Sequence, residues 1–174
     1  MDRVLTHHSC ATINRAAPEV ARYVLDPTTM PHWSAVIYDV DAPGAGVFET
    51  GGRLRGRMHV LGVNLAVEGE MVEWDPAGRR AAIAVRPVGV PAEAGGLLEH
   101  ELFVEDIGDG CVLHFRNRLT LPEWIPDEAV GDGLIRHLLD QTSAFALANI
   151  KYILEACLES SVRSFADLVR PHLG

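Results

Sequence analysis

From Arg53 to Leu121 the chain alternates in period two through five successive segments. From Leu134 to Leu158 it changes to helical spacing, with neither proline nor glycine. A strand presents alternate residues to opposite faces, whereas a helix returns to the same face every three or four. The first pattern therefore predicts a meander with one wet and one apolar face, and the second predicts one long helix. No other stretch is long enough to cover that apolar face, so the expected class is α+β with segregated strands and helix.

Two further strands and two short helices precede the meander. Val4 to Asn14 reads as a strand, and Pro18 suits the first turn of a short helix that Asp26-Pro27 stops near Leu25. A second helical turn is predicted from Thr28 to Trp33, and a strand from Ala35 to Asp41. The meander strands are Arg53–Val60, Val63–Trp74, Arg79–Arg86, Leu97–Glu105 and Cys111–Leu121, divided by Gly- and Pro-containing turns. Pro122 to Gly133 reads as a linker or lid, and Ser160 to Leu173 as a short helical tail. The whole chain, 1–174, is expected to form one domain with its core at about 4–158 and the tail at 160–173.

Hairpin arithmetic assigns the faces. With Asp109-Gly110 or Gly108-Asp109 as the last turn, paired residue numbers sum to 219 or 217; both are odd, so both give the same faces. One face carries Glu99, Glu101 and Glu105 against His114, Arg116 and Arg118, a charge ladder that belongs in water. The other carries Leu98, His100, Leu102 and Val104 with Leu113, Phe115, Asn117 and Leu119. His100 and Asn117 are its two polar members, directly opposite each other or one diagonal apart. The hairpin at Leu61-Gly62 pairs Arg53 with Glu70 and Arg55 with Glu68, and puts Leu54, Gly56, Met58, Leu65, Val67 and Met71 inside. Val72 and Trp74 run out of phase with that assignment. Either a bulge intervenes or the arginine face points inward.

Composition narrows the function classes. A net charge of −9 with no concentrated basic face argues against nucleic acid as a partner. No apolar run reaches the roughly 18 residues of a membrane span. The opening MDRVLTHHSC lacks the pattern of an export signal, so a cytoplasmic protein is expected. Cys10, Cys111 and Cys157 show neither disulfide-framework nor zinc-site spacing and are expected to be buried or half-buried thiols. His7-His8 is no metal pair, because neighbours on a strand point to opposite faces. No metal or cofactor is expected; a homodimer is left open.

Several segments together resemble a known family: Ile13, Pro18-Glu19-Val20, Asp26-Pro27-Thr28-Thr29-Met30-Pro31-His32-Trp33, Gly52-Arg53-Leu54-Arg55, Val72-Glu73-Trp74-Asp75-Pro76 and Asn149-Ile150-Lys151. The chain is similar, from about Val4 to Glu155, to the polyketide cyclase/dehydrase branch of the START-like (SRPBCC, birch-pollen-allergen-like) superfamily. The resemblance implies a helix-grip fold, in which a seven-stranded curved antiparallel sheet wraps a long C-terminal helix, with two short helices after the first strand. It also implies a deep cavity between sheet and helix, used in relatives to cyclise or aromatise polyketides or to carry lipids and other hydrophobic ligands. Family aromatase/cyclases often place an arginine in that cavity, a place that Arg55 or Arg57 could fill, although the pairing pattern puts both outside.

His100 is the leading catalytic candidate, assisted by Asn117, since a neutral imidazole in an apolar cavity can move protons near neutral pH. The plainer alternative is a buried histidine satisfied by that asparagine. Candidate ligand contacts are His7, Trp33, Met58, Leu102, Phe115 and Trp124, with Gln141, Phe145 and Asn149 from the long helix. The leading expectation is a polyketide cyclase/aromatase- or dehydratase-like enzyme acting on an apolar small molecule. Its rival is a non-catalytic carrier or sensor of a lipid, quinone or other hydrophobic ligand. A regulatory or chaperone-like domain would need a large exposed apolar patch, against which the outer charge ladder argues.

Overall fold

A computed structural model describes residues 3–41, 49–90, 96–121, 123 and 131–169, with side chains as far as residue 156. Strand β1 (Arg3–Ile13) leads to helix α1 (Ala17–Val24), a 3₁₀ turn (Pro27–Thr29) and helix α2 (Met30–Trp33). Strands β2 (Ile37–Asp41), β3 (Arg53–Val60), β4 (Val63–Asp75), β5 (Arg80–Pro87), β6 (Leu97–Asp106) and β7 (Cys111–Leu121) follow, then helix α3 (Asp132–Val169). The seven strands form one antiparallel sheet in the order β1-β7-β6-β5-β4-β3-β2, so the first strand closes onto the last. This is the helix-grip architecture. One departure from expectation is at the C-terminus, where α3 continues to Val169 with no break before the predicted tail. Trp124 and most of the proline-rich segment around it lie outside the described residues, as does the Cys157 side chain.

Local chemistry explains the short elements. A proline in the first turn starts α1, and Asp26 caps the 3₁₀ turn by accepting from the Thr28 N–H at 2.9 Å and its hydroxyl at 2.6 Å. Leu61 and Gly62 both have positive φ, 50° and 81°, as a type I′ hairpin turn requires. The last hairpin turns at Gly108-Asp109, with Gly108 at φ 88° and Asp106 opposite Cys111. Of the two registers the sequence allows, the pairing is therefore the one that sets His100 directly opposite Asn117.

The β3–β4 ambiguity is resolved by a bulge. Met71 pairs with Ile83 but Glu73 with Ala82, so Val72 is the extra residue, and Trp74 returns to the inner face against the core. Arg53, Arg55 and Arg57 are then exposed on the outer face; Arg57 lies 3.8 Å from Asp39. The core joins α1, α2 and α3 to the inner face through Val20, Trp33, Met71, Leu113, Phe115 and Ile150, all buried. A polar seam ties α3 to β1 and the bend after it: Lys151 Nζ donates to the Thr12 carbonyl at 2.7 Å, Arg15 to the Leu154 and Glu155 carbonyls at 2.8 and 3.1 Å, and the Asn14 N–H to Glu155 at 2.6 Å. Cys111 is buried as expected, but Cys10 is exposed, because it sits on the outer face of β1.

Candidate functional site

Between the sheet and the first half of α3 lies a cavity of about 120 Å³, roughly ten times the ~10–15 Å³ that one water needs. Its wall runs from Met30 and Trp33 of α2 across Leu54, Met58, Val67, Ile83, Val85 and Leu98 of the sheet to Leu139 and Ala146 of α3. These positions are inner-face residues of β3 to β6, so strand alternation supplies an apolar lining directly. Two polar side chains of the wall are already used by nearby backbone. Ser34 Oγ accepts from the Val36 and Ile37 N–H groups at 3.2 and 3.0 Å, and the Thr142 hydroxyl donates to the Leu138 carbonyl at 2.7 Å.

Apart from Arg55, which is exposed, three polar side chains of the wall remain, and they touch. His100 Nδ1 lies 2.6 Å from Asn117 Oδ1, and Asn117 Nδ2 donates to Ser143 Oγ at 3.2 Å. The chain thus runs from β6 through β7 to α3. Asn117 and Ser143 are the two buried polar residues among those described. Phe115 meets the His100 ring edge-on at 5.1 Å between centroids, and Trp33 packs on Phe115 at 5.7 Å. Desolvation by these apolar neighbours pushes the His100 pKa below the ordinary histidine value, only partly countered by the bond to Asn117. A neutral imidazole at neutral pH follows.

The expected site residues divide into groups. His100, Asn117, Trp33, Met58 and Phe115 line the cavity. Leu102 is buried in the core beside it rather than in its wall. Asn149 donates to the Trp33 carbonyl at 3.3 Å, and Trp33 Nε1 donates to Thr29 Oγ1 at 3.0 Å, so Asn149 holds α2 in place. His7 sits across β1 from Asn117, with Nε2 3.6 Å from Asp140, and is outside the wall. Gln141 and Phe145 are exposed, the latter by 52%. Arg57 faces solvent, and Arg55 borders the cavity from β3 while remaining exposed opposite Glu68.

Gln141 and Phe145 are exposed because α3 packs a different side onto the sheet. Its buried side is Ile135, Ser143, Ala146, Leu147, Ile150 and Leu154. That stripe contains no long polar side chain, and Gln141 and Phe145 lie off it. Ser143 was missed for the same reason, and the smallness of Ser143 and Ala146 was the available signal: small side chains on a buried face leave room for a cavity.

The family described as "Polyketide cyclase / dehydrase and lipid transport" matches residues 6–155. The chain belongs to this family. Among solved structures it is similar to the ZhuI aromatase/cyclase of Streptomyces sp. R1128, at 17% identity and a TM-score of 0.66, covering 89% of this chain and 98% of that one. A START superfamily protein from Mycobacterium smegmatis is similar at 13% identity and a TM-score of 0.64, covering 87% and 98%. The di-domain aromatase/cyclase BexL of the BE-7585A biosynthetic pathway is similar at 21% identity and a TM-score of 0.59, covering 88% of this chain and 46% of that one. At such identities the likeness shows the fold. No curated protein matches the sequence. Among the described residues no three His, Cys, Asp or Glu side chains are grouped to hold a metal, and no helix is long and apolar enough to cross a membrane.

Proposed function

We propose that this member of the polyketide cyclase/dehydrase family is an enzyme that closes or dehydrates a ring in an apolar, polyketide-type substrate, with His100 as the proton-transfer residue and Asn117 as its partner. The observation that carries this reading is a single imidazole set in the wall of a largely apolar cavity and bonded to a buried amide. A carrier needs only the apolar wall. A buried polar chain carries a desolvation cost that its hydrogen bonds offset and that an all-apolar wall would not have, and proton transfer is a role that fits its position.

The chemistry asks little more of the protein. His100 takes a proton from a carbon flanked by carbonyls, and the resulting enolate attacks a second carbonyl of the same molecule, forming the ring bond. The imidazolium returns the proton to the new alkoxide. Where dehydration follows, His100 takes the proton from the adjacent carbon and delivers it to the departing hydroxyl, which leaves as water. The apolar wall holds the chain folded so that the reacting carbons meet, and this positioning contributes alongside proton transfer. The test is turnover of poly-β-ketone substrates by His100→Ala and Asn117→Ala, both checked for folding. A loss of ~10²- to 10⁴-fold in His100→Ala is expected. Full turnover in both variants sinks the assignment, and saturable binding without product in the wild type makes the protein a carrier.

A further inference from the structure

The sheet has two edges, and they are finished differently. Strand β2, at one end, is short, shifts register between Ile37 and Asp39, and presents Asp39 and Asp41 to solvent. A kink and charge are ordinary ways to stop an edge from pairing with another chain. Strand β1, at the other end, runs for 11 residues without a register shift against β7, and from Val4 to Ile13 it contains no proline, glycine, carboxylate, lysine or arginine. Its hydrogen-bond parity shows which groups lie on the free side. Ile107 N–H donates to the Gly110 carbonyl at 3.1 Å, so even-numbered residues of β7 bond to β6 and odd-numbered ones to β1. Strand β1 pairs with β7 odd to odd, from Ile13 with Cys111 to Arg3 with Leu121, and its even-numbered N–H and C=O groups point away from the sheet. Past Cys10 helix α3 closes that side: Lys151 donates to the Thr12 carbonyl, and the Asn14 N–H donates to Glu155. The backbone groups of Val4, Thr6, His8 and Cys10 that face the free side have no partner among the described residues, and all four side chains are exposed on the outer face.

We propose that the free edge of β1 is a docking site for a second copy of this chain, which adds its own β1 antiparallel across a two-fold axis and joins the two sheets. A two-fold partner presents the same row of donors and acceptors in reverse, so the edge is its own complement. The open groups also set the register. Pairing Val4 with Cys10 of the second copy, and Thr6 with His8 of the second copy, uses every open N–H and C=O of these residues and stops where Lys151 and Glu155 close the row. No carboxylate, lysine or arginine lies among the facing residues, so self-pairing brings no like charges together there. An unrelated extended peptide is less well served. Edges that read peptides set pockets beside the strand for alternate side chains. Here the outer face beside β1 is filled by the His8–His114 stack and the Arg116–Glu101 pair, and the cavity takes no residue from β1.

Sedimentation equilibrium of the full chain is the test. So short an edge buries well under the roughly 1,600 Å² of a standard stable interface, so a weak dimer is expected, with the mean mass rising from monomer toward dimer between about 10 μM and about 1 mM. Thr6→Pro deletes an N–H on the free side and leaves the odd-numbered ladder to β7 intact; Thr6→Lys puts a charge on the edge and serves if the proline variant does not fold. Both are expected to stay monomeric over the same range. In oxidised Val4→Cys a disulfide is expected between the introduced thiol and the exposed Cys10 of the second copy, located by peptide mass mapping. The wild type is expected to give no Cys10–Cys10 link, because the two Cys10 side chains stand at opposite ends of the paired segment. A wild-type chain that is still monomeric at ~1 mM overturns the proposal and leaves the edge to a strand of another protein. A folded Thr6→Lys that dimerises as the wild type does also overturns it, and moves the contact to another surface such as the exposed Phe145 and Tyr152 of α3. A Cys10–Cys10 link in the wild type, or no link to Cys10 in Val4→Cys, overturns the register.

Discussion

Strands β6 and β7 carry two histidine–phenylalanine pairs, one on each face of the same two strands, and they are built to opposite ends. Inside, His100 meets Phe115 edge-on and has only an amide for a polar partner. Outside, His114 lies flat on Phe103 at 4.1 Å, stacks on His8 at 5.4 Å, and places Nε2 3.2 Å from Glu105, with Arg116 4.7 Å over the Phe103 ring. Around the outer pair, Glu101 takes Arg80 at 2.7 Å, and Glu99 takes Arg118 at 2.6 Å. One face surrounds an imidazole with charge in water, and the other withdraws charge from it. Bulk solvent screens the outer arrangement, so its parts are individually dispensable; the inner one is set among apolar side chains, where each polar contact counts for more.

The two phenylalanines give the sharpest way to break this contrast. Phe115 is 1% exposed and joins the cavity wall to Trp33, so Phe115→Ala is expected to cost about 3–5 kcal/mol in denaturant unfolding. Phe103→Ala removes a half-buried ring whose gain is its contact with His114 and the two arginines, and about 1 kcal/mol is expected. Equal costs would mean that the outer stack is a second core and that the division of the faces is wrong.

That division was legible in the sequence because it depends on parity alone. Either candidate turn placed His100 and Asn117 on one face and the glutamate–arginine ladder on the other. What parity could not supply was the exact register, which the left-handed Gly108 decides, and the choice between a bulge near Val72 and an inward arginine face, which the broken period leaves open. The helix was harder. Its spacing identified a long helix, but the rotation of that helix about its axis depends on which stripe packs on the sheet, and a buried Ser143 looks polar in a sequence. The site was therefore readable on its strand side and missed on its helix side. The His7 position was read correctly as sharing a face with Ile13, yet the cavity does not extend to it.

The next contrast is in acid. Burial holds the His100 pKa below the ordinary histidine value, so the folded state stays neutral there while the unfolded chain takes up a proton. The unfolded state then binds more protons, and the stability this group contributes is fully present above about pH 6.5 and is lost as pH falls through the folded value. His100→Gln replaces the imidazole with an amide that can still donate to Asn117, and it is expected to narrow the difference in melting temperature between pH 7.5 and pH 5. His8, on the outer face, is also lowered, first by desolvation and then by His114, but it is exposed, so His8→Gln should narrow that difference less. A larger effect from His8 would place the acid-sensitive group on the wrong side of the sheet.

The smallest expected effect is at Arg118, the neighbour of Asn117 and the partner of Glu99 across the outer ladder. The Arg118 side chain is 55% exposed and that of Glu99 35%. In that setting a good 2.6 Å contact still competes with water for both ions and must hold two long side chains in one arrangement. Arg118→Ala is therefore expected to cost less than about 1 kcal/mol at low salt. At ~1 M salt, where the screening length falls to roughly 3 Å, the difference from wild type should disappear. Asn117, one residue earlier, has no charge to screen, so salt should leave its bonds to His100 and Ser143 untouched. A salt-resistant penalty at Arg118 would show that its aliphatic stem, rather than its charge, holds the outer face together, and the contrast between the faces would then be one of packing alone.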